Sequence, residues 1–536
     1  MHSTAPSQLP GLPLVVHLSF AGSRTLLDAT KHPRVDRGEF EDRVERWLRE
    51  RIVKLRAELG LSERHFWCGI SQIAIGGDTV FTRACRDLAI PQRIYLPQQR
   101  EDFLKATSKS GQPDFSPDEE RVARELLESS HIIQERAIAT ADDRQARFEE
   151  VNRELARLAN VVLCLIRADA EPKPGGSLDL VKQAAKRGRP ALEIRVSVGV
   201  DGQPQFAETW HQRESFKLPA LPHELHDLKS DLPATVALGP YCAALQGFAE
   251  HQARGTQAIF RYAALTIVVT HFLATLCAVL ALWKETAPVA WLLGAELLLL
   301  AIGLATHQAL HGKHASAVWG MTRLVAEVAR SALPLAAVKT HSGHLFTLPM
   351  PDGLRPLLRT LSVLHLRESH RLSADTLSAR RDQYIRERLT DEAQGQIPYY
   401  RGKLSSAQFW RRAANVLFLA GSILAFAATA FKLLLHDWST ANLGELNREE
   451  LMHWLGSAAI LLPVVAVAAL SLAASLDLEA RASTYRELLD YLVKHCRLLE
   501  QAASDREFAE LATEAETRLL GETVTWYFRR SYTSVA

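Results

Sequence analysis

In the second half of this chain apolar residues run almost unbroken in four places: Ala263–Trp283, Ala287–Ala305, Ala413–Phe431 and Leu455–Leu476. Three of these runs contain no Asp, Glu, Lys or Arg, and the second contains only Glu296. Each is close to the ~20 residues that carry a helix across a bilayer core of roughly 30 Å. The first half reads differently. Short apolar runs alternate there with longer stretches of helical periodicity. Leu14–Phe20 is a strand followed by a turn at Ala21-Gly22-Ser23-Arg24, and Phe40–Leu59 is a helix. Phe66–Ile75 is a strand ending in Gly76-Gly77-Asp78-Thr79, with a helix to Leu88 and a strand Arg93–Leu96. Helices follow at Glu119–Glu128 and Asp142–Ala159. Val161–Ile166 is apolar throughout, as a strand covered on both faces requires. A turn Pro174-Gly175-Gly176-Ser177, a helix to Arg187 and a strand Ala191–Val198 complete the region. Strand–helix alternation of this kind predicts a doubly wound, parallel α/β sheet.

Three strands thus end in glycine turns that lead into helices. In an open parallel sheet, ligands bind beyond the carboxyl ends of the strands. Glycine lets the backbone approach a phosphate there, and the following helix offers unpaired N–H groups. The plainer role of each glycine is to permit a tight turn. The candidate ligand-binding residues are Gly22, Ser23 and Arg24, then Gly76, Gly77 and Asp78, then Gly175, Gly176 and Ser177.

The stretches HLSFAGSR, GISQIAIGGDTVFTRACRDLAIPQRIYLPQQREDF and LANVVLCLIRADAEPKPGGSLDLVKQAAKRGRPALEI together resemble the SLOG family. This Rossmann-like superfamily includes cytokinin-activating phosphoribohydrolases and DNA-processing proteins. The resemblance implies a nucleotide site at the three turns. The hydrolase branch carries PGGxGTxxE with a catalytic Glu, whereas this chain reads PGGSLDLV with Asp179 and no Glu at that place. The resemblance therefore favours a sensor, with no catalytic residue assigned. A membrane-anchored phosphoribohydrolase-type enzyme, using Asp78 or Asp179 as acid or base, is the alternative. Ribose binding and helix N-terminal charge are the other roles open to these two carboxylates.

The membrane half repeats. FRYAALTIVVTHFLATL from Phe260 matches WRRAANVLFLAGSILAF from Trp410, and the long helices starting near His314 and Arg481 follow each hairpin in the same way. ARRDQYIRERLTDEAQGQIPYYRGKL, from Ala379 to Leu404, resembles the approach to the membrane in the SLATT family of two-span effectors, through Tyr384, Arg388, Gln396, Tyr399 and Tyr400. The expected architecture is an α/β Rossmann-like doubly wound domain over 12–215, a first two-span unit over 240–335, a linker with a short helix over 336–375, and a second two-span unit over 376–522. SLOG and SLATT together imply a pore-forming effector of bacterial antiphage or conflict defence. It would be triggered by a small nucleotide signal that a separate enzyme makes.

Charge sets the expected topology. Arg254, Arg261, Lys313, Arg323, Arg401, Lys403, Arg411, Arg412, Arg481 and Arg486 lie on one side of the hairpins. The other side has Lys284-Glu285-Thr286 and a loop over 436–453 holding Asp437, Glu445, Glu449 and Glu450 against Arg448. The positive-inside rule then puts both termini and the central segment in the cytoplasm, and the resemblance implies that the membrane is a bacterial inner (plasma) membrane. MHSTAPSQLPGLPLVV lacks the charge and apolar pattern of a cleavable signal peptide. A net charge of +2 gives no field for nucleic acid, and six cysteines without paired spacing predict neither disulfides nor a metal site. No cofactor is expected beyond the nucleotide-derived ligand. Loop residues His341 and His344 lack an acid or Cys partner that would make a metal site.

Two polar residues fall within the first hairpin. Glu296 is costly in a bilayer, by at least about 2.5 kcal/mol. Counting from the turn puts His271 at a similar depth, close enough for a hydrogen bond. The pair is either a gating or pore-lining site or a neutral latch that holds the hairpin. The second hairpin has Pro463 and the small residues Ala420, Gly421 and Ser422, which allow close helix packing. Four spans are few for a pore, so a homo-oligomer in the lipid bilayer is expected.

Overall fold

The computed structural model describes residues 11–107, 113–225, 228, 230, 232–233, 235–282, 288–312, 315–338, 347–371, 376–437 and 448–533. The chain divides into two compact units, Met1–Tyr241 with His341–Ser373, and Cys242–Thr340 with Ala374–Ala536.

The first unit is built on a seven-stranded sheet: β1 (Leu14–Gly22), β2 (His65–Ser71), β3 (Gln92–Leu96), β4 (Ile132–Ala137), β5 (Val161–Arg167), β6 (Ala191–Val198) and β7 (Pro204–His211). Their order is β4-β3-β2-β1-β5-β6-β7. All neighbours pair in parallel except β6 and β7. The register aligns His17 with Cys68 and Ala21 with Cys164. Six helices alternate with the parallel strands: α1 (Arg37–Glu58), α2 (Gly77–Asp87), α3 (Arg100–Leu104), α4 (Pro117–Leu127), α5 (Arg144–Leu158) and α6 (Ser177–Lys186). Val16, Leu18 and Phe20 of β1 pack with α1 and α2 through Leu48, Ile52, Val80 and Phe81. On the other face Val162 and Cys164 of β5 pack with Val151, Leu155 and Leu180 of α5 and α6. Helices cover both faces, which is why β1 and β5 are apolar at nearly every position.

Sequence patterning identified five of these strands but not β4 or β7. Both are edge strands with mixed patterns. β4 has only two residues of apolar run before Gln134-Glu135-Arg136, and β7 buries one side only, with Phe206 stacked on Trp47 at 3.7 Å. The expected strand to Ile75 stops at Ser71.

The segment read as a linker with a short helix contains a helix of 17 residues. Helix α10 (Arg355–Arg371) belongs to the first unit, and Leu357, Leu358, Leu361 and Leu364 are buried. The Val15 amide of β1 donates to Thr360 Oγ1 at 2.9 Å. Leu357, Leu358, Leu361 and Leu364 repeat at helical spacing, and burial against the sheet adds to that local pattern.

The second unit is helical: α7 (Leu238–Ala281, whose first residues belong to the first unit), α8 (Pro288–Gly312), α9 (Ala315–Ala337), α11 (Leu377–Tyr384), a π-helical turn Ile385–Thr390, α12 (Gln396–Asp437), α13 (Arg448–Ser475), α14 (Leu478–Gln501) and α15 (Asp505–Thr533). Four helices contain stretches long and apolar enough to cross a membrane: Tyr262–Ala281, Val289–Ala309, Gln396–Leu435 and Glu450–Ala474. At most 17% of any of these windows is buried within the protein. Trp291, Leu297 and Phe426 are among the apolar side chains left facing outward, as a lipid-facing surface requires. The two expected two-span units are thus parts of one compact unit. A shared core joins Leu335 of α9, Tyr384 of α11, Tyr400 of α12, Leu492 of α14 and Phe508 of α15.

Candidate functional site

β1 lies between β2 and β5, so the chain runs outward through β2, β3 and β4 before returning to β5 on the other side of β1. The crevice between the carboxyl ends of β1 and β5 is therefore the point where connections diverge. The first and third glycine turns border it, and the second braces it.

The first two turns touch backbone to backbone. A Cβ on Gly22 would lie 2.5 Å from Gly77 Cα, and one on Gly76 would lie 2.3 Å from the Arg24 carbonyl. Gly76 also has φ +80°, which favours glycine. The Gly77 amide donates to the Ser23 carbonyl at 2.9 Å. These glycines are thus required by the neighbouring turn itself. Asp78 is buried, and its two carboxylate oxygens accept from the amides of Gly22 at 2.9 Å and Ala74 at 3.2 Å. Burial pushes its carboxyl up to about 7, against the pull of those two amides. Asp78 faces inward as a bolt between the turns.

The third turn joins the first by another route. Ser177 Oγ donates to the Gly22 carbonyl at 2.7 Å, and the Ser23 amide donates to Leu165 of β5 at 2.8 Å. Gly175 takes φ +69°. Asn152 of α5, buried, donates through Nδ2 to the Gly176 carbonyl at 3.0 Å and to Asp179 at 3.2 Å. Ser23 Oγ accepts from the Arg167 amide at 3.2 Å.

Helix starts differ in a telling way. Asp36, Ser116 and Asp143 cap α1, α4 and α5 with their side chains. Gly76 and Gly176, which precede α2 and α6, supply no side-chain cap; the five-residue α3 lacks one as well. A helix start without a cap keeps amide donors and the positive end of the dipole for another acceptor. Gly22, Ser23, Gly175, Gly176 and Ser177 are half-buried and Arg24 is exposed, whereas Gly76, Gly77 and Asp78 are buried. The third turn and the rim of the first are therefore what a ligand would meet. Arg24 itself is held by Asp114, at 3.2 Å, and Arg144 binds the same carboxylate. Asp114 and Asn152 were missed in the sequence because no spacing rule links them to the turns.

No family model, curated protein or solved structure matches this chain.

In the membrane half, the structure does not form the His271–Glu296 hydrogen bond expected from depth. His271 Nδ1 donates to the Ile267 carbonyl of its own helix at 2.8 Å. Its ring lies against Gly303, where an added Cβ would come within 2.9 Å of Cε1. Glu296 sits two turns away from Gly303, ~10 Å along α8. Counting from the turn assumed equal arms. The hairpin register instead follows the close approach that Gly303 allows. The small residues of the second hairpin do meet: Gly421 faces Ala466 and the Leu462 carbonyl, each 3.1 Å from an added Cβ.

The residues of the membrane approach converge on a partner that the sequence did not reveal. Arg388 Nε and Nη2 each donate to Glu516 of α15 at 2.7 Å, and Tyr384 Oη donates to the same carboxylate at 3.0 Å. Gln396 and Tyr400 are buried nearby in sequence, and Tyr399 packs edge-on against Tyr400 at 5.2 Å. The loop segment with His341 and His344, and the turn Lys284-Glu285-Thr286, lie outside the described residues. Among the described residues no cluster of His, Cys, Asp and Glu is arranged to hold a metal.

Proposed function

We propose that this protein is a nucleotide-gated membrane effector. The α/β unit takes up a small nucleotide-derived signal at the crevice beyond β1 and β5, through Ser23, Gly175, Gly176, Ser177 and Arg24. The membrane helices of a homo-oligomer then open a pore or disrupt the bilayer. The reading assigns the protein to a bacterial inner membrane with both termini cytoplasmic, acting in antiphage or conflict defence, with a separate enzyme making the signal. The observation that carries it is the half-buried start of α6, which has no side-chain cap, beside a strand-order reversal, in a chain with four membrane-length helices. The bolting of Asp78 into the protein supports sensing over hydrolysis, because its carboxylate is committed to backbone amides.

The test is dye and ion leakage from liposomes holding the purified protein, with cyclic and ADP-ribose-type nucleotides added singly. Leakage that needs one nucleotide, and is lost in Gly176→Trp, is the expected result. Tight vesicles with every nucleotide, together with base release from a nucleoside monophosphate, would replace this reading with the phosphoribohydrolase.

A further inference from the structure

The opposite end of the sheet carries a concentration of arginine that the proposed function does not use. The amino ends of the strands are bordered there by α10 and by the last turn of α5. Arg93 is the second residue of β3, Arg189 precedes β6, and Arg359 projects from α10. Arg359 Nη1 reaches Asn160 Oδ1 at 3.4 Å, an oxygen that also accepts from the His17 amide at 2.9 Å. Arg93 Nε donates to Gln134 at 2.7 Å, and its guanidinium lies 5.4 Å from the Tyr95 ring centre.

Two neighbouring arginines have carboxylates: Arg157 with Glu154 at 2.6 Å and Arg355 with Asp352 at 2.8 Å. Among the described residues, Arg93, Arg189 and Arg359 form no ion pair. Two buried nitrogens here also lack partners, Arg189 Nε and His17 Nε2. Burial pushes Arg359 down to about 10, and repulsion from Arg189, Arg157, Arg355 and Arg93 adds to it. His17 is lowered by burial and then by Arg359 and Arg93. A buried cationic group without a counter-charge is destabilising unless an anion completes it.

We propose that Arg93, Arg189 and Arg359 form a second binding site, for a phosphate group, between α10 and the amino ends of the strands. Guanidinium groups match phosphate oxygens in pairs. The anion would fasten α10, which lies in the chain between the two membrane hairpins, onto the sheet. The same chemistry is offered by a soluble phosphate compound and by an anionic lipid headgroup.

The experiment is thermal unfolding of the full-length protein in phosphatidylcholine nanodiscs, titrated with inorganic pyrophosphate against sodium chloride of equal ionic strength. A second arm uses phosphatidylglycerol nanodiscs without pyrophosphate. Saturable stabilisation by pyrophosphate identifies a soluble ligand, and stabilisation only in phosphatidylglycerol identifies a headgroup. In either case Arg359→Gln and, separately, Arg189→Gln weaken the response about tenfold or more. Without the anion, Arg359→Gln leaves the unfolding midpoint unchanged or higher, because it relieves repulsion. The proposal is overturned by equal stabilisation from sodium chloride, by no stabilisation in either arm, or by an undiminished response in both variants.

Discussion

The buried pair Arg388–Glu516 allows a sharp test of what holds the helical unit together. The two side chains are 4% and 0% exposed, joined by two hydrogen bonds of 2.7 Å, with Tyr384 adding a third to the same carboxylate. Glu516→Leu removes the carboxylate and leaves a buried guanidinium without its hydrogen-bonded counter-charge, with only the more distant carboxylate of Glu327 acting on it. Breaking a buried pair from one side costs about 3–5 kcal/mol. For a unit of this size each kcal/mol moves the unfolding midpoint by about 2–4 °C, so the expected fall is roughly 6–20 °C. The pair's net worth is a separate quantity, since its attraction is set against the desolvation of both ions. The triple variant Tyr384→Phe, Arg388→Met, Glu516→Leu replaces the network by apolar groups of similar volume. It is expected within about 2 kcal/mol of the wild type. The assay is thermal unfolding of the detergent-solubilised protein, followed by tryptophan fluorescence; Trp319 and Trp526, in T-shaped contact at 4.8 Å, report on the α9–α15 packing. A triple variant as unstable as Glu516→Leu alone would refute the reasoning, because the cost would then lie in lost packing and not in an orphaned charge. A Glu516→Leu midpoint equal to wild type would refute it as well.

Asp78 predicts a pH dependence. Its carboxyl rises from 3.8 to about 7 on folding, so the folded state binds the proton more tightly. The stability contribution is present below about pH 4 and is lost as pH rises through 7, by an amount on the order of 4 kcal/mol. The unfolding midpoint of the α/β unit should fall between about pH 4 and 7, and Asp78→Asn should flatten that slope; an unchanged slope would assign it elsewhere. Gly77→Val drives a side chain against Gly22, 2.6 Å from its Cα, and is expected to cost about 1–3 kcal/mol or more and to lower soluble expression of the protein. In the second hairpin, Gly421→Leu should lower the unfolding midpoint in detergent, whereas Gly402→Leu, with nothing within 4 Å of its Cβ position, should not; equal effects would exclude close packing at Gly421 as the cause.

The membrane spans and the alternating α/β order were legible in the sequence because each depends on local pattern. A run of apolar residues needs no partner to declare itself, and β1 and β5 are apolar because both faces are covered. The three glycine turns were legible for the same reason. Their meaning was not. Only tertiary structure established that Gly22 and Gly77 make room for each other, that Asp78 is spent on two amides, and that Ser177 ties the third turn to the first. Edge strands β4 and β7 escaped because they bury one side or little of their length. Helix α10 was expected only as a short helix in a linker; its place against the sheet escaped because its partners lie hundreds of positions away, as Val15 does from Thr360. Arg388 was visible as a motif residue, but its partner Glu516 on a distant helix was not. Sequence pattern records how each segment meets its solvent, water or lipid; which segments meet each other depends on packing, and no local period encodes that.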